Sequence, residues 1–292
     1  MHYGYVIPSG TASEQLELAI LADQHGWDGV FVWEAAYGVD AWTLLGAMAA
    51  RTSHVKLGTM LTPLPWRRPW KVASQAVTLD QISNGRAILA VGLGAIDNFL
   101  GNTGEELDRK VRAEMMDEGI DLIRGLWTGK LAYSGKHYQM DLSGRTDLAV
   151  TAQPVQSRIP IWTVAAWPRE KSMTRLLRCD GVLPNVWRED RWDRAEPPDV
   201  KAMLSWLRER GGAGEGFDFV VEGTTPSEDK SAAIAAVEPF AKAGATWWLE
   251  ADWSSFEDPA GQQAALKTRI LAGPPKRQRP ESRNQELLTG PP

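Results

Sequence analysis

VASQAVTLDQISNGRAILAVGLG, residues 72–94, contains one complete unit of the fold. It reads as a helix over Val72–Ile82, a strand at Ala87–Val91 and a glycine-flanked end, Gly92-Leu-Gly94. The same alternation continues on both sides. Upstream lie a strand at Gly4–Pro8, a helix that Thr11 or Ser13 could cap, and the strand Gly29-Val-Phe-Val-Trp33. A helix over Ala41–Arg51 and a strand at Val55–Leu61 complete that side. The run at 29–33 is continuously apolar rather than alternating, the pattern of a parallel strand covered on both faces. Downstream come a helix over Glu105–Trp127, strand Ile159–Ala165 with helix Glu170–Arg178, and strand Gly181–Pro184 with a helix around Val200–Arg210. Phe217–Glu222 with Ser231–Ala243, and Thr246–Leu249 with Gly261–Leu271, finish the series.

Eight successive βα units with right-handed crossovers close most naturally into a single-domain α/β (β/α)8 TIM barrel over residues 1–272. An excursion at about 129–157 breaks the rhythm, with Tyr133-Ser-Gly-Lys-His-Tyr138 as a small hairpin. Residues 273–292, rich in Pro, Arg and Gln, are expected to be a disordered tail. The alternative is a doubly wound open sheet with a dinucleotide fingerprint. It finds only two of its glycines in Gly92-Leu-Gly94-Ala-Ile-Asp97, where Asp97 occupies the third position.

Composition removes whole classes of function. With 43% hydrophobic and 24% charged residues in 292, the chain is an ordinary globular one. Its longest apolar run, Ala87–Ile96, falls well short of the roughly 20 residues that span a bilayer. The beginning of the chain shows no signal-peptide pattern, so a cytoplasmic location is expected. A net charge of −5 argues against nucleic acid as a partner. A single cysteine, Cys179, allows no internal disulfide. The four histidines are scattered, and HExxH, CxxC, EF-hand, GxSxG and Walker A patterns are all missing, so no metal site is expected.

In a barrel the chemistry sits at the C-terminal strand ends. Here those ends carry Glu34, Thr59-Met60-Leu61, Gly92 to Asp97, Ala165-Ala166-Trp167, Asn185 to Arg188, Glu222 and Glu250 to Trp253. Small residues beside Trp suit a flat aromatic cofactor that brings its own chemistry, and no nucleophile–base pair for hydrolysis is present. The 14 tryptophans fill a large core or line such a pocket.

Three blocks in order carry a resemblance. They are Leu57-Gly-Thr-Met-Leu-Thr-Pro63 through Thr78 to Gly94, Arg112 through Glu118 to Tyr138, and Gln153 through Trp162 to Gly181. The chain resembles the bacterial luciferase-like flavin-dependent oxidoreductases. The resemblance implies a barrel of that type binding FMN as reduced flavin or, as the alternative, the deazaflavin coenzyme F-420 (8-hydroxy-5-deazaflavin) in its mouth. It implies a non-proline cis peptide at Met60-Leu61. Cofactor contacts would come from Thr59, Met60, Leu61, Gly92, Gly94, Ala165, Ala166, Trp167 and Arg169, the last group serving as phosphate loop. A homodimer and, for an FMN enzyme, a separate flavin reductase and O2 are implied as partners.

The departures shape the functional expectation. Luciferases follow the second strand with Glu-His, and the deazaflavin enzymes with Asp-His; this chain has Glu34-Ala35. Leu93 replaces the basic residue between the strand-four glycines, and Ala-Ala-Trp replaces Gly-Gly-Ser in the phosphate loop. Light emission is therefore not expected, and Glu34, Asp40 and Asp97 stand as candidates for the absent base. The leading expectation is a monooxygenase acting with reduced FMN and O2 on a small organic substrate. Its rivals are coenzyme F-420-dependent hydride transfer, a non-catalytic flavin-binding protein, and a sugar-phosphate barrel enzyme. The acidic ends at Glu222 and Glu250–Asp252 disfavour the last.

Overall fold

The computed structural model describes residues 1–95, 103–145, 147, 152–253 and 258–276. Eight parallel strands follow one another around a ring: β1 (His2–Ile7), β2 (Gly29–Val32), β3 (Lys56–Thr59), β4 (Ala87–Gly92), β5 (Ile161–Trp167), β6 (Gly181–Arg188), β7 (Asp218–Gly223) and β8 (Trp247–Glu250). Trp247 of β8 pairs with His2 of β1 and closes the barrel. Helices α1 (Ala12–Gln24), α2 (Ala41–Arg51), α3 (Pro69–Ser83), α4 (Arg109–Trp127), α5 (Glu170–Arg175), α6 (Pro197–Glu209), α7 (Lys230–Ala243) and α8 (Pro259–Leu271) form the outer layer. The expected (β/α)8 barrel is the observed one. No helix among the described residues is long and apolar enough to cross a membrane.

Several boundaries differ from the sequence reading, each for a local reason. Thr11 caps α1 reciprocally with Glu14. The helix expected from Glu105 begins at Arg109, because the Asp108 carboxylate accepts the amides of Lys110 and Val111 at 2.8 and 2.9 Å. The helix expected to Arg178 ends at Arg175 and tightens into a 3-10 turn. The strand expected over Val55–Leu61 stops at Thr59. A cis peptide follows at Met60–Leu61, and Thr62–Pro63 then pairs with β4. β6 runs past Pro184 to Arg188 and turns back through Glu189-Asp190 at φ 50° and 59°. The returning residues Arg191–Asp193 pair with it in a rim hairpin that the sequence reading lacked.

The excursion contains the expected hairpin, Ala132–Ser134 against Gln139–Asp141. Two buried or half-buried carboxylates hold its ends. Asp80 accepts the amides of Val155 and Gln156 at 2.7 and 2.9 Å, and Glu118 accepts those of Lys136, His137 and Tyr138. Residues 277–292 of the expected tail lie outside the described residues. Its first part folds back, with Lys276 Nζ 2.8 Å from Asp28.

Strand parity sorts the barrel's contents. Phe31, Trp162, Val220 and Trp247 point inward, whereas Val30, Ala165, Phe219 and Trp248 point to the helices. At the N-terminal end Phe31, Trp162 and Trp247 pack with ring centroids 5.2 to 6.0 Å apart. Glycines make the room: a Cβ on Gly181 would come within 2.4 Å of Trp162, and one on Gly29 within 2.9 Å of Trp247. Asp218 locks the rings in place. Its Oδ2 accepts Trp162 Nε1, and its Oδ1 accepts Trp247 Nε1 and the Thr246 hydroxyl, all at 3.0 Å.

Asp218→Ala leaves two buried indole N–H groups and a hydroxyl without an acceptor, at a cost of about 1–3 kcal/mol per orphaned group where water cannot reach it. We expect a loss of about 3 kcal/mol in the urea unfolding free energy, with Asp218→Asn losing less because its amide oxygen keeps one acceptor. Equal stability of Asp218→Ala and wild type would refute this role of Asp218.

Candidate active site

At the C-terminal ends of the strands the inward side chains become small, and a cleft of about 1350 Å³ opens. Its floor is Met60, Leu61, Val164, Leu183 and Val220, and its walls include Trp33, Tyr37, Trp192 and Trp253. Gly92 is required where it stands, since a Cβ there would meet the Leu61 side chain at 2.7 Å. Leu61 therefore packs directly on the Gly92 backbone, and Met60, Leu61 and Gly92 together form a shelf along the cleft. Gly94, at φ 82°, turns the chain away past the Trp66 ring, which a Cβ would strike at 2.0 Å.

The sequence-derived residues separate into those that line the cleft and those that do not. Glu34, Met60, Leu61, Gly92, Gly94 and Ala166 line it. Thr59 lies fully buried beneath, its hydroxyl 2.9 Å from that of Thr62. On β5 parity turns Val164 and Ala166 inward, while Ala165 and Trp167 pack against the helix layer. Arg169 is exposed at the rim, its guanidinium 5.1 and 5.5 Å from the Trp187 and Trp192 rings. Near it the Ala166 amide is already taken by Ser172 Oγ at 2.9 Å. Asp40 is the N-cap of α2, accepting the Thr43 amide at 2.7 Å. Against a burial that would raise it, this capping holds the Asp40 pKa below its usual value. Asp97 lies outside the described residues.

Glu34 is enclosed. Arg67 forms an ion pair with Oε1, and Oε2 accepts the Thr62 hydroxyl at 2.5 Å and Trp42 Nε1 at 3.2 Å. Burial raises its pKa despite these partners. A carboxylate so fully bonded anchors the loop after β2.

Four arginines line the cleft: Arg109, Arg112, Arg175 and Arg194. Arg175 is neutralised by Asp117 at 2.7 and 3.0 Å. Arg112, buried over the Trp66 ring, gives Nη1 to the carbonyls of Leu93 and Gly94 at 2.9 Å, and its Nε has no partner among the described residues. Arg109 lies 5.6 Å from the Trp192 ring. At the end of β7, Glu222 points into the cleft with Trp253 Nε1 donating to Oε2 at 3.1 Å. Sequence reasoning placed Glu222 at a strand end without assigning it a role. The signal was there in parity: Asp218 and Glu222 are four apart on one strand and so share its inner face. Among the described residues no group of three or more His, Cys, Asp or Glu could hold a metal ion.

The residues fit a planar, anionic cofactor. The shelf, the arginines along the cleft and the buried Arg112 Nε, without a partner among the described residues, are compatible with a planar ring that carries a phosphate-bearing arm.

The model of the luciferase-like monooxygenase family matches residues 1–292. A Mycobacterium tuberculosis protein provisionally named as a coenzyme F-420-dependent oxidoreductase is 31% identical over 77% of this chain and 65% of its own length. The oxygenase component of a flavin-dependent trigonelline monooxygenase from Acinetobacter baylyi is 29% identical over 53% of this chain and 43% of its own. The chain thus spans less than two thirds of either relative. Among solved structures, an F-420-dependent secondary alcohol dehydrogenase superposes with a TM-score of 0.70 at 19% identity, covering 93% of this chain and 98% of that one. That likeness speaks to the fold.

Removing the cation beside Glu34 should show in stability. Arg67→Met leaves a buried carboxylate uncompensated, a loss of about 3–5 kcal/mol. Because the folded-state pKa of Glu34 lies above its unfolded value, the penalty grows as pH rises through the folded pKa and shrinks below it. Thermal melts of the variant should therefore lie closer to wild type at pH 5 than at pH 8. A pH-independent difference would show that the carboxylate is not charged there.

Proposed function

The chain belongs to the luciferase-like monooxygenase family, and from that premise we propose that it is an oxidoreductase using coenzyme F-420 for two-electron transfer on a small organic substrate. The observation that supports the deazaflavin is the charge of the cleft. Arg109, Arg112 and Arg194 line it with no carboxylate within ion-pair distance among the described residues. A deazaflavin arm with its phosphodiester and glutamyl carboxylates carries more negative charge than the single phosphate of FMN, and uncompensated arginines favour the more anionic ligand. The relative sharing the larger part of this chain carries an F-420-dependent name.

In this reading the shelf of Met60, Leu61, Gly92 and Gly94 carries the ring, with Thr59 bracing it from beneath through Thr62. Ala166 leaves space beside the ring, while Ala165 and Trp167 fasten β5 to the helices. Arg112 and Arg109 take the anionic arm, and Arg169 is an outer contact at the rim. The bound cofactor would supply a site that accepts or donates a hydrogen with its electron pair. Trp33 and Trp253, both partly buried, hold the substrate against it and limit access of water.

Oxygen-using chemistry with FMN, the first expectation from sequence, is the second reading. It is favoured by the likeness to the Acinetobacter oxygenase component. That reading adds O2 and a separate flavin reductase as partners.

Quenching of the intrinsic tryptophan fluorescence separates the two. We expect micromolar or tighter binding of coenzyme F-420 and at least tenfold weaker binding of FMN. Arg112→Met should weaken the former about tenfold, roughly 1.4 kcal/mol for a lost charge-assisted contact, and Arg169→Ala by less than threefold. The reverse order of affinities, with O2 consumed on adding reduced FMN, would transfer the assignment to the monooxygenase. Binding of neither removes both.

A further inference from the structure

We infer that Glu222 is the catalytic residue that exchanges a proton with the substrate, and that the substrate is an alcohol or its carbonyl counterpart. The inference rests on the cofactor reading above, because a hydrogen transferred with its electron pair leaves a proton at the substrate oxygen.

Three described carboxyls line the cleft: Glu34, Asp193 and Glu222. Glu34 is bound to Arg67, Thr62 and Trp42. Asp193 has Arg188 Nη1 at 3.4 Å. Glu222 has no cation within 4 Å among the described residues. Its Oε2 accepts one hydrogen bond, from Trp253 Nε1, and its Oε1 has no partner among the described residues. A carboxyl meant to hold structure is saturated with donors, as Asp218 and Glu250 are on the neighbouring positions of β7 and β8. Glu222 is instead held in place at one oxygen and left open at the other.

Its surroundings set when it carries the proton. The charged groups lining the same cleft are Arg194 and Asp193 from the rim hairpin, Arg109 and Arg112 from α4, Arg175 from α5 and Glu34 after β2. Burial raises the Glu222 pKa above the usual carboxylate value, while the Trp253 bond and the Arg194 charge pull it down. A general base is most effective when its pKa lies near the working pH. When an alcohol is oxidised, the O–H proton passes to Glu222 Oε1, the O–H bond breaks, and the retained pair becomes the second C–O bond. The bound cofactor would supply the acceptor for the carbon-bound hydrogen and its electron pair, and the Glu222 carboxylic acid would then release its proton to water. Reduction of a carbonyl runs the same transfers backwards.

The test uses the full chain with Glu222→Gln, Glu222→Asp and Trp253→Phe. Without cofactor, tryptophan emission is followed from pH 4 to 9. Wild type should show a transition above the ordinary glutamate range of about 4.3, absent from Glu222→Gln and Trp253→Phe and retained in Glu222→Asp. An unchanged transition in Glu222→Gln overturns the assignment of the titrating group. With bound oxidised coenzyme F-420, decay of its absorbance is followed on a set of secondary alcohols. Wild-type turnover should rise with pH through the same midpoint, and Glu222→Gln should lose at least 100-fold in kcat with KM and cofactor affinity within threefold. Equal kcat in Glu222→Gln overturns the proton-exchange role. Cofactor binding without turnover of any alcohol overturns the substrate class, whereas failure of cofactor binding in wild type marks failure of the cofactor reading instead.

Discussion

The carboxylate of Asp218 is the point on which the barrel depends. By accepting the indole N–H groups of Trp162 and Trp247, it lets two of the largest side chains fill the N-terminal half of the barrel without an unsatisfied donor. Phe31 completes that layer, and the glycines at 29 and 181 receive the rings. With the lower half solid, the upper half can open. The strand ends change to Gly92, Ala166 and Leu183, and the empty volume above them is the cleft. Packing at one end thus permits chemistry at the other.

Carboxylates divide the remaining work by how many donors each receives. Asp23 takes the amides of Ser53, His54 and Val55, Asp80 those of Val155 and Gln156, and Glu118 three from the excursion hairpin. Each fixes a loop that would otherwise leave backbone groups unpaired. Glu34 belongs with them, since its two oxygens are occupied by Arg67, Thr62 and Trp42. Glu222 does not: among the described residues it has a single donor and no cation within 4 Å. Similar residues at the ends of two strands therefore have different duties, one mechanical and one chemical. The arginines show the same division: Arg175 is consumed by Asp117, whereas the Nε of Arg112 has no partner among the described residues.

The rim hairpin gives the cleft one of its walls. Arg191–Asp193 folds back on β6, and Trp192 meets Trp187 edge to face with ring centroids 4.8 Å apart and the Arg169 guanidinium over both rings. Cation–π contacts of this kind contribute about 0.5–1 kcal/mol each at exposed sites, and several together hold a short hairpin that lacks a core of its own. Arg188 steadies its base through Asp199 at 2.6 Å.

The sequence alone determined the alternation of strands and helices, the closed barrel and the shelf. Continuous apolar runs, glycines at strand ends and helix caps are local patterns with local causes, and the Met60–Leu61 bulge followed from motif resemblance. It also placed the cleft correctly at strand ends. Tertiary structure decided which strand-end residue does what. Trp167 and Ala165 turn outward because β5 enters the barrel with Val164 and Ala166 inside, a parity set by register with β4 and β6. Glu34 became an anchor because Arg67 and Thr62 reach it from other turns of the chain, whereas the Asp40 cap is a local bond to Thr43, three residues on. Glu222 emerged because no cation comes within ion-pair distance of it among the described residues, and such spacing cannot be read from sequence. A residue's type is written in the chain, but its charge state and exposure depend on partners that only folding brings within a few ångströms.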